Sequence, residues 1–427
     1  MSGYYFSLKH ITLPLSVQLD VPTSKSISNR LLLLKETFAP NLEICQLSTA
    51  EDTQLLKSLL SEIKANSYPS NTIKTLDARN CGTAYRFLCA YLCFKKGEWL
   101  LNGSDAMKNR PIKELVDVLS ACGAHIIYIE KDGFPPLIIN TTKSLHIEGL
   151  LTVDSQRSSQ IVSALLMVLP LMKQNVNLQI SENTSSLPYL FMTISMMQSL
   201  GMDINIQNNS LYYTYTPPIT RNFSVTVEAD WSAAAYWCAW LALHKKGSVF
   251  IKGLKESELQ ADSIIETIVS QFGVCLNYQK EGAIIHKIND NKPSYLDFNA
   301  RSCPDLVPTL AVLCCGLQIK ASIKGIANLA YKESNRIDAL IKELGQIATI
   351  NYNDTALEIL PLNRENNFPL CFHTYNDHRL AMSFALLAGI FPEVYIENPD
   401  CVSKSYPEFW EQLQKLGVEC KNIVCKN

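Results

Sequence analysis

Apolar positions spaced as on one face of a helix, a glycine, and then strand-like alternation recur along this chain. The pattern runs through Leu115–Leu119, Gly123 and Ile126–Ile129, and again through Ile194–Leu200, Gly201 and Ile204–Ile206. It returns at Ile264–Phe272, Gly273 and Cys275–Tyr278, and at Leu340–Leu344, Gly345 and Ile347–Tyr352. A fifth copy, Phe409–Leu416 with Gly417 and Val418, closes the series, and a weaker copy without glycine lies at Leu55–Ile63. Glycine suits the left-handed position that ends a helix, and the change of period marks the boundary with the strand.

The glycines stand 78, 72, 72 and 72 residues apart. Units of about 70 residues are too long for a solenoid, so each reads as a small α/β module with mixed strands. Six modules fill the chain, three to a domain. The crossovers are expected near Val21 and near Val227–Asp230, after the Pro217-Pro218 turn and Arg221-Asn222. This makes one domain discontinuous, residues 1–21 plus 229–427, and the other the insert 22–228.

Composition narrows the class. At 427 residues the chain exceeds what one core usually supports, and 47% hydrophobic residues suffice for two. Thirty-eight Lys and Arg against 40 Asp and Glu, a net charge of −2, argue against a broad nucleic-acid or anionic-membrane surface. Fourteen cysteines include no Cys-x-x-Cys pair and lie mostly in apolar runs, as at Cys89, Cys93, Cys238 and Cys314-Cys315. They read as reduced, buried thiols of a cytoplasmic protein. No basic segment leads into an apolar one at the N-terminus, and the apolar stretches fall short of a membrane span.

Against this neutral background, hydroxyl, amide or glycine positions are paired with Lys or Arg at seven places. They are Ser24-Lys25-Ser26 through Arg30, Asn80-Cys81-Gly82-Thr83 through Arg86, Lys108-Asn109-Arg110-Pro111 and Ser158-Ser159-Gln160. The others are Lys332-Glu333-Ser334-Asn335-Arg336, Asn376-Asp377-His378-Arg379 and Ser403-Lys404-Ser405. Most precede a helix-patterned run, where unpaired N–H groups and the helix dipole favour anions.

Taken alone, most clusters read first as ordinary capping or a solvated ion pair. Asn80 or Thr83 is a candidate cap for the helix through Tyr91. Lys332 and Arg336, four residues apart, are expected on one helix, with Glu333 beside Arg336. Asp305, after Pro304, is either a first-turn acid or an acceptor for a substrate hydroxyl. A Walker A loop is absent, and no second His stands at ligand spacing from His378, so neither nucleotide hydrolysis nor metal binding is supported. Seven clusters together point to a site for multiply charged anions.

In order, Ser-Lys-Ser-x-Ser-Asn-Arg, Gly-Thr-Ala-x-Arg, Arg-Pro-Ile, Ser-Ser-Gln, Lys-Glu-x-x-Arg, Asn-Asp-His-Arg and Lys404 resemble the EPSP synthases, 3-phosphoshikimate 1-carboxyvinyltransferases, from Val21 to the C-terminus. The resemblance implies a two-domain, inside-out α/β barrel fold. Each domain would have three βαβαββ-like repeats, with the active site in the interdomain cleft. The implied reaction moves the enolpyruvyl group of phosphoenolpyruvate to the 5-hydroxyl of shikimate 3-phosphate by addition and elimination, on the route to chorismate and the aromatic amino acids. No metal or organic cofactor is implied, and the partners are these two small molecules, with no nucleic acid or membrane, for a monomer.

Carried over by motif, phosphoenolpyruvate would meet Lys25, Gly82, Arg110, Gln160, Arg336, Arg379 and Lys404. Shikimate 3-phosphate would meet Lys25, Ser26, Arg30, Ser158, Ser159, Gln160, Ser186, Tyr189, Asp305, Asn328 and Lys332. The catalytic set is Lys25, Asp305 and Glu333: Asp305 orients or deprotonates the 5-hydroxyl, Glu333 shuttles the proton at the methylene carbon, and Lys25 supplies charge.

Three positions depart from the family pattern: Thr23 replaces a usual Gly, Phe87 a usual Pro, and Leu187 a frequent Lys. Gly82 is retained, which favours sensitivity to the inhibitor glyphosate. The nearest alternative is the related enolpyruvyl transferase acting on UDP-N-acetylglucosamine. An RNA-end-binding protein of similar modules would need a broad basic face.

Overall fold

The computed structural model describes residues 4–11, 16–65, 72–141, 145–147, 149–153, 159–181, 187–362 and 368–424. The chain divides into two compact units. The first comprises Met1–Ser24, Thr49–Glu51 and Glu228–Asn427, the second Lys25–Ser48 and Asp52–Val227.

One strand order repeats in both units. In the second, Lys74–Asp77 runs parallel to Gly97–Asn102, and the hairpin of His125–Tyr128 and Leu137–Thr141 adds through its later strand. Leu150–Val153, Val176–Ile180, Asp203–Gln207 and Ser210–Thr214 repeat this order. So do Tyr295–Asn299, Lys320–Lys324, Ala348–Tyr352 and Ala356–Pro361 of the first unit.

The other three sheets borrow strands from distant sequence. Ser16–Leu19 lies parallel to Ser248–Lys252, and Phe223–Thr226 parallel to Leu42–Cys45. Tyr4–His10 is inserted between Val394–Glu397 and Val418–Val424. The last of the six sheets, Phe223–Thr226 with Leu42–Cys45, has only its parallel pair among the described residues. Within the first unit, the segment before Lys25 and the segment that begins at Glu228 lie side by side. There Thr23 bridges Ala229, and the Asp230 amide donates to Pro22 O at 2.9 Å.

Each unit is centred on three buried helices. In the first, Val307–Gly316 packs against both Trp231–Leu243 and His378–Ala385. Every residue of Trp231–Leu243 except Ser232 is buried, including Trp231, Trp237 and Trp240. Each such ring takes on the order of 200 Å² out of water. In the second unit Ser159–Met172 packs against Lys25–Thr37 and Gly82–Leu92. Strands of the sheets alternate buried and exposed positions, as Ser248–Lys252 does, so the helices are the inner layer. This turns helix N-termini, normally solvated, into interior features that carry the motif residues.

Four of the five repeat glycines adopt the expected left-handed backbone, Gly123, Gly201, Gly273 and Gly417 at φ of 96, 85, 70 and 86°. Gly345 does not: its φ of −55° continues the right-handed turn. The Lys332–Arg336 pair also departs from expectation. The Asn335 side chain accepts from the Asp338 amide and caps a helix that begins at Arg336, so Lys332 precedes the helix in extended backbone. No described helix is long and apolar enough to cross a membrane.

Candidate active site

In the second unit, Lys25 opens its helix and places Nζ 2.9 Å from Oδ2 of Asp52. Arg30, one turn on, is buried with neutral partners. Its Nε donates to Thr193 Oγ1 at 2.7 Å, Nη1 to Ser26 O at 3.0 Å, and Nη2 to Tyr189 O at 3.2 Å. The Phe87 and Tyr189 rings lie 5.8 and 5.9 Å from its guanidinium carbon. Phe87 thus supplies an aromatic face to a candidate anion-binding arginine. Burial pushes the Arg30 guanidinium down to about 10, the state of a cation held without a carboxylate.

Gly82 begins the next buried helix. The expected caps Asn80 and Thr83 are not used; Cys81 is the N-cap, its sulfur accepting from the Ala84 amide at 3.4 Å. A methyl group on Gly82 would stand 2.6 Å from Nη2 and 2.7 Å from Cζ of Arg110. Only glycine lets this guanidinium lie against the helix start. Arg110 is buried, and its Nε and Nη1 have no hydrogen-bond partner among the described residues, an arrangement that calls for an anion.

Gln160 donates to Thr83 Oγ1 and accepts from Arg86 Nη1, both at 3.1 Å. Arg86 also donates to Gly82 O and Pro111 O, tying these elements together. Ser158 and Ser186 lie outside the described residues, as does the side chain of Ser159. Leu187 starts the helix that carries Tyr189.

The first unit holds the denser constellation. Arg336 is buried and meets three carboxylates: Asp377 through Nε–Oδ2 at 2.8 Å and Nη2–Oδ1 at 3.2 Å, Asp305 Oδ1 at 3.0 Å, and Glu333 Oε2 at 2.8 Å. Their summed attraction raises its pKa despite burial. Asp305 faces two further cations, Arg379 Nη2 at 2.9 Å and Lys332 Nζ at 3.5 Å. Burial opposes ionisation of Asp305, but Arg379, Lys332 and Arg336 outweigh it and hold the carboxyl well below the usual carboxylate range.

Glu333 lies between Arg336 and Lys404, whose Nζ is 3.5 Å from Oε1. Asn328 sits in the short helix Ala327–Tyr331, just ahead of Lys332. Lys332, Arg336, Arg379 and Lys404 therefore converge on the carboxylates of Asp305 and Glu333.

The EPSP synthase family, 3-phosphoshikimate 1-carboxyvinyltransferase, matches residues 10–413. The chain belongs to the EPSP synthase family. A 3-phosphoshikimate 1-carboxyvinyltransferase of Bacteroides fragilis is 34% identical over 411 residues, 94% of this chain and 96% of that protein. One from Shewanella denitrificans is 32% identical, with the same coverage. The EPSP synthase structure of Acinetobacter baumannii superposes with a TM-score of 0.74 at 19% identity, covering 98% of this chain and all of that one. The enolpyruvyl transferase NikO of Streptomyces tendae gives 0.75 at 14% identity, covering 99% of this chain and all of that one. These two likenesses establish the fold.

For an EPSP synthase family member, three supporting residues were given no site role by the motif reading, although Arg86 and Asp377 stand inside its motifs. Asp52 pairs with Lys25, and Arg86 organises Gln160. Asp377 grips Arg336 while its Oδ1 accepts from the Arg379 amide at 3.0 Å, capping that helix. An Asp directly before a helix, two residues ahead of Arg, was the available signal for Asp377. For Asp52 the sequence offered none.

Proposed function

We propose that this chain transfers the enolpyruvyl group of phosphoenolpyruvate to the 5-hydroxyl of shikimate 3-phosphate and releases inorganic phosphate. The observation that carries the reading is the pairing of Asp305 and Glu333 on one buried guanidinium, Arg336, amid Lys332, Arg379 and Lys404. Both substrates are anions, and preplaced cations offset their repulsion in a low-dielectric site. Lys25, Gly82, Arg110, Gln160, Arg336, Arg379 and Lys404 bind phosphoenolpyruvate in this reading. Lys25, Ser26, Arg30, Ser158, Ser159, Gln160, Ser186, Tyr189, Asp305, Asn328 and Lys332 bind shikimate 3-phosphate.

An Asp305 carboxyl stabilised by three cations is a weak base. Arriving phosphate and carboxylate groups compete for those cations, raising the affinity of Asp305 for a proton as the 5-hydroxyl comes within reach. Asp305 then takes the hydroxyl proton as the oxygen attacks the enol carbon, while a proton is delivered to the methylene carbon through Glu333. A tetrahedral intermediate results, with Lys25 supporting the developing charge. Loss of a methyl proton to Glu333 and cleavage of the carbon–oxygen bond to phosphate regenerate the double bond in the product. The free cysteines, mostly buried, suit a reducing cytoplasm.

Acceptor choice tests the reading. With phosphoenolpyruvate, the protein should consume shikimate 3-phosphate and leave UDP-N-acetylglucosamine untouched. The reverse result would move it to the other enolpyruvyl transfer.

A further inference from the structure

Beyond the residues assigned above, a second buried carboxylate stands behind Arg379. Asp262, in the short helix Ala261–Ile264, accepts a hydrogen bond through Oδ2 from the Ser232 hydroxyl. Ser232, in the first turn of Trp231–Leu243, is in turn 3.4 Å from Arg379 Nη2. That same nitrogen lies 2.9 Å from Asp305 Oδ2. The order Asp305, Arg379, Ser232, Asp262 is thus continuous and lies wholly in the first unit.

Its direction follows from proton counting. A serine hydroxyl has one proton, and arginine only donates. If Ser232 gives its proton to Asp262, an oxygen lone pair faces Arg379, which the guanidinium needs. If Asp262 is protonated and donates to Ser232, the serine proton must turn elsewhere, including toward the cation. We propose that Asp262, acting through Ser232, is a positioning residue that orients Arg379 for phosphoenolpyruvate. This rests on the enolpyruvyl-transfer reading.

Two further observations support the assignment. Asp262 is buried, and its Oδ1 has no hydrogen-bond partner among the described residues, a costly placement for a carboxyl with purely structural duty. Burial and the neighbouring Asp305 carboxylate, with a smaller push from Asp230, raise its pKa to about 6 against the pull of Arg379 and Ser232. Cys303 also faces Asp262, and its thiol is driven up chiefly by burial. The relay therefore operates with Asp262 ionised, and weakens as pH falls through that value.

The test is steady-state kinetics of wild type, Asp262→Asn, Ser232→Ala and Ser232→Thr between pH 5 and 8, measuring KM for each substrate and kcat. Ser232→Ala and Asp262→Asn should raise KM for phosphoenolpyruvate about tenfold, the loss of one charge-assisted contact, with kcat and KM for shikimate 3-phosphate little changed. Wild-type KM for phosphoenolpyruvate should climb below pH 6, and both variants should lose that dependence. Ser232→Thr, which keeps the hydroxyl, should restore it.

Active wild type with variants that keep its KM and pH profile would overturn the relay. So would equal losses for both substrates. If Asp262→Asn does not fold, the serine pair decides alone. Wild type without transfer would sink the enolpyruvyl reading and this proposal with it.

Discussion

Asp377 holds Arg336 with two hydrogen bonds, Nε to Oδ2 at 2.8 Å and Nη2 to Oδ1 at 3.2 Å, and both groups are buried. The same carboxylate caps the helix bearing Arg379, so one side chain fixes two cations of the candidate site. Asp377→Asn removes the charge-assisted hydrogen bonds to Arg336 while Asp305 and Glu333 still balance the guanidinium, costing about 1.5–3 kcal/mol. Denaturant unfolding should show that loss, and activity should fall further than stability alone accounts for. A variant as stable as wild type would remove Asp377 from this role.

Contact between Gly82 and Arg110 makes a sharper prediction. Gly82→Ala places a methyl 2.6 Å from Nη2, so the guanidinium must move. KM for phosphoenolpyruvate should rise by about tenfold or more, the scale of one displaced charged contact, with KM for shikimate 3-phosphate nearly constant. Unchanged phosphoenolpyruvate kinetics would show that Arg110 serves another purpose.

Glu333→Gln and Asp305→Ala should both fold, because Arg336 keeps Asp377 and one other carboxylate in each variant. Turnover should drop by about 10²–10⁴, the usual span for a lost acid or base. Near-wild-type kcat in either purified variant would strike that residue from the mechanism.

Acid should destabilise the first unit through His244. Burial, aided by His10 and Lys287, pushes the imidazole down to about 4, while Nδ1 donates to Trp240 O at 2.7 Å. The folded value lies below the unfolded one near 6.5, so this stability is complete above pH 6.5. It is lost as pH falls toward 4, by about 3 kcal/mol. Urea midpoints for wild type and His244→Gln should converge as pH drops. Parallel pH profiles would refute the assignment.

The repeat was legible because four of its glycines need a left-handed backbone, which no other residue adopts as cheaply. Gly345 shared the spacing without the conformation, so position alone did not predict it. Trp231–Leu243 is apolar on every face and carries no helical period, which hid both its inner position and the role of Ser232. Cys81 was passed over as a cap because thiols are weak acceptors.

Motif order singled out Arg336 and Glu333, whose side chains meet at 2.8 Å. It did not show that Lys404 would meet Glu333, since that contact spans 71 residues of intervening fold. Nor did it show that Asn335 would start the helix after Lys332.

The most direct measurement is phosphate release from phosphoenolpyruvate, with and without shikimate 3-phosphate, in the presence of EDTA. Release that needs both substrates and is indifferent to the chelator is the predicted result. Release without shikimate 3-phosphate, or none with both present, would contradict enolpyruvyl transfer by this site.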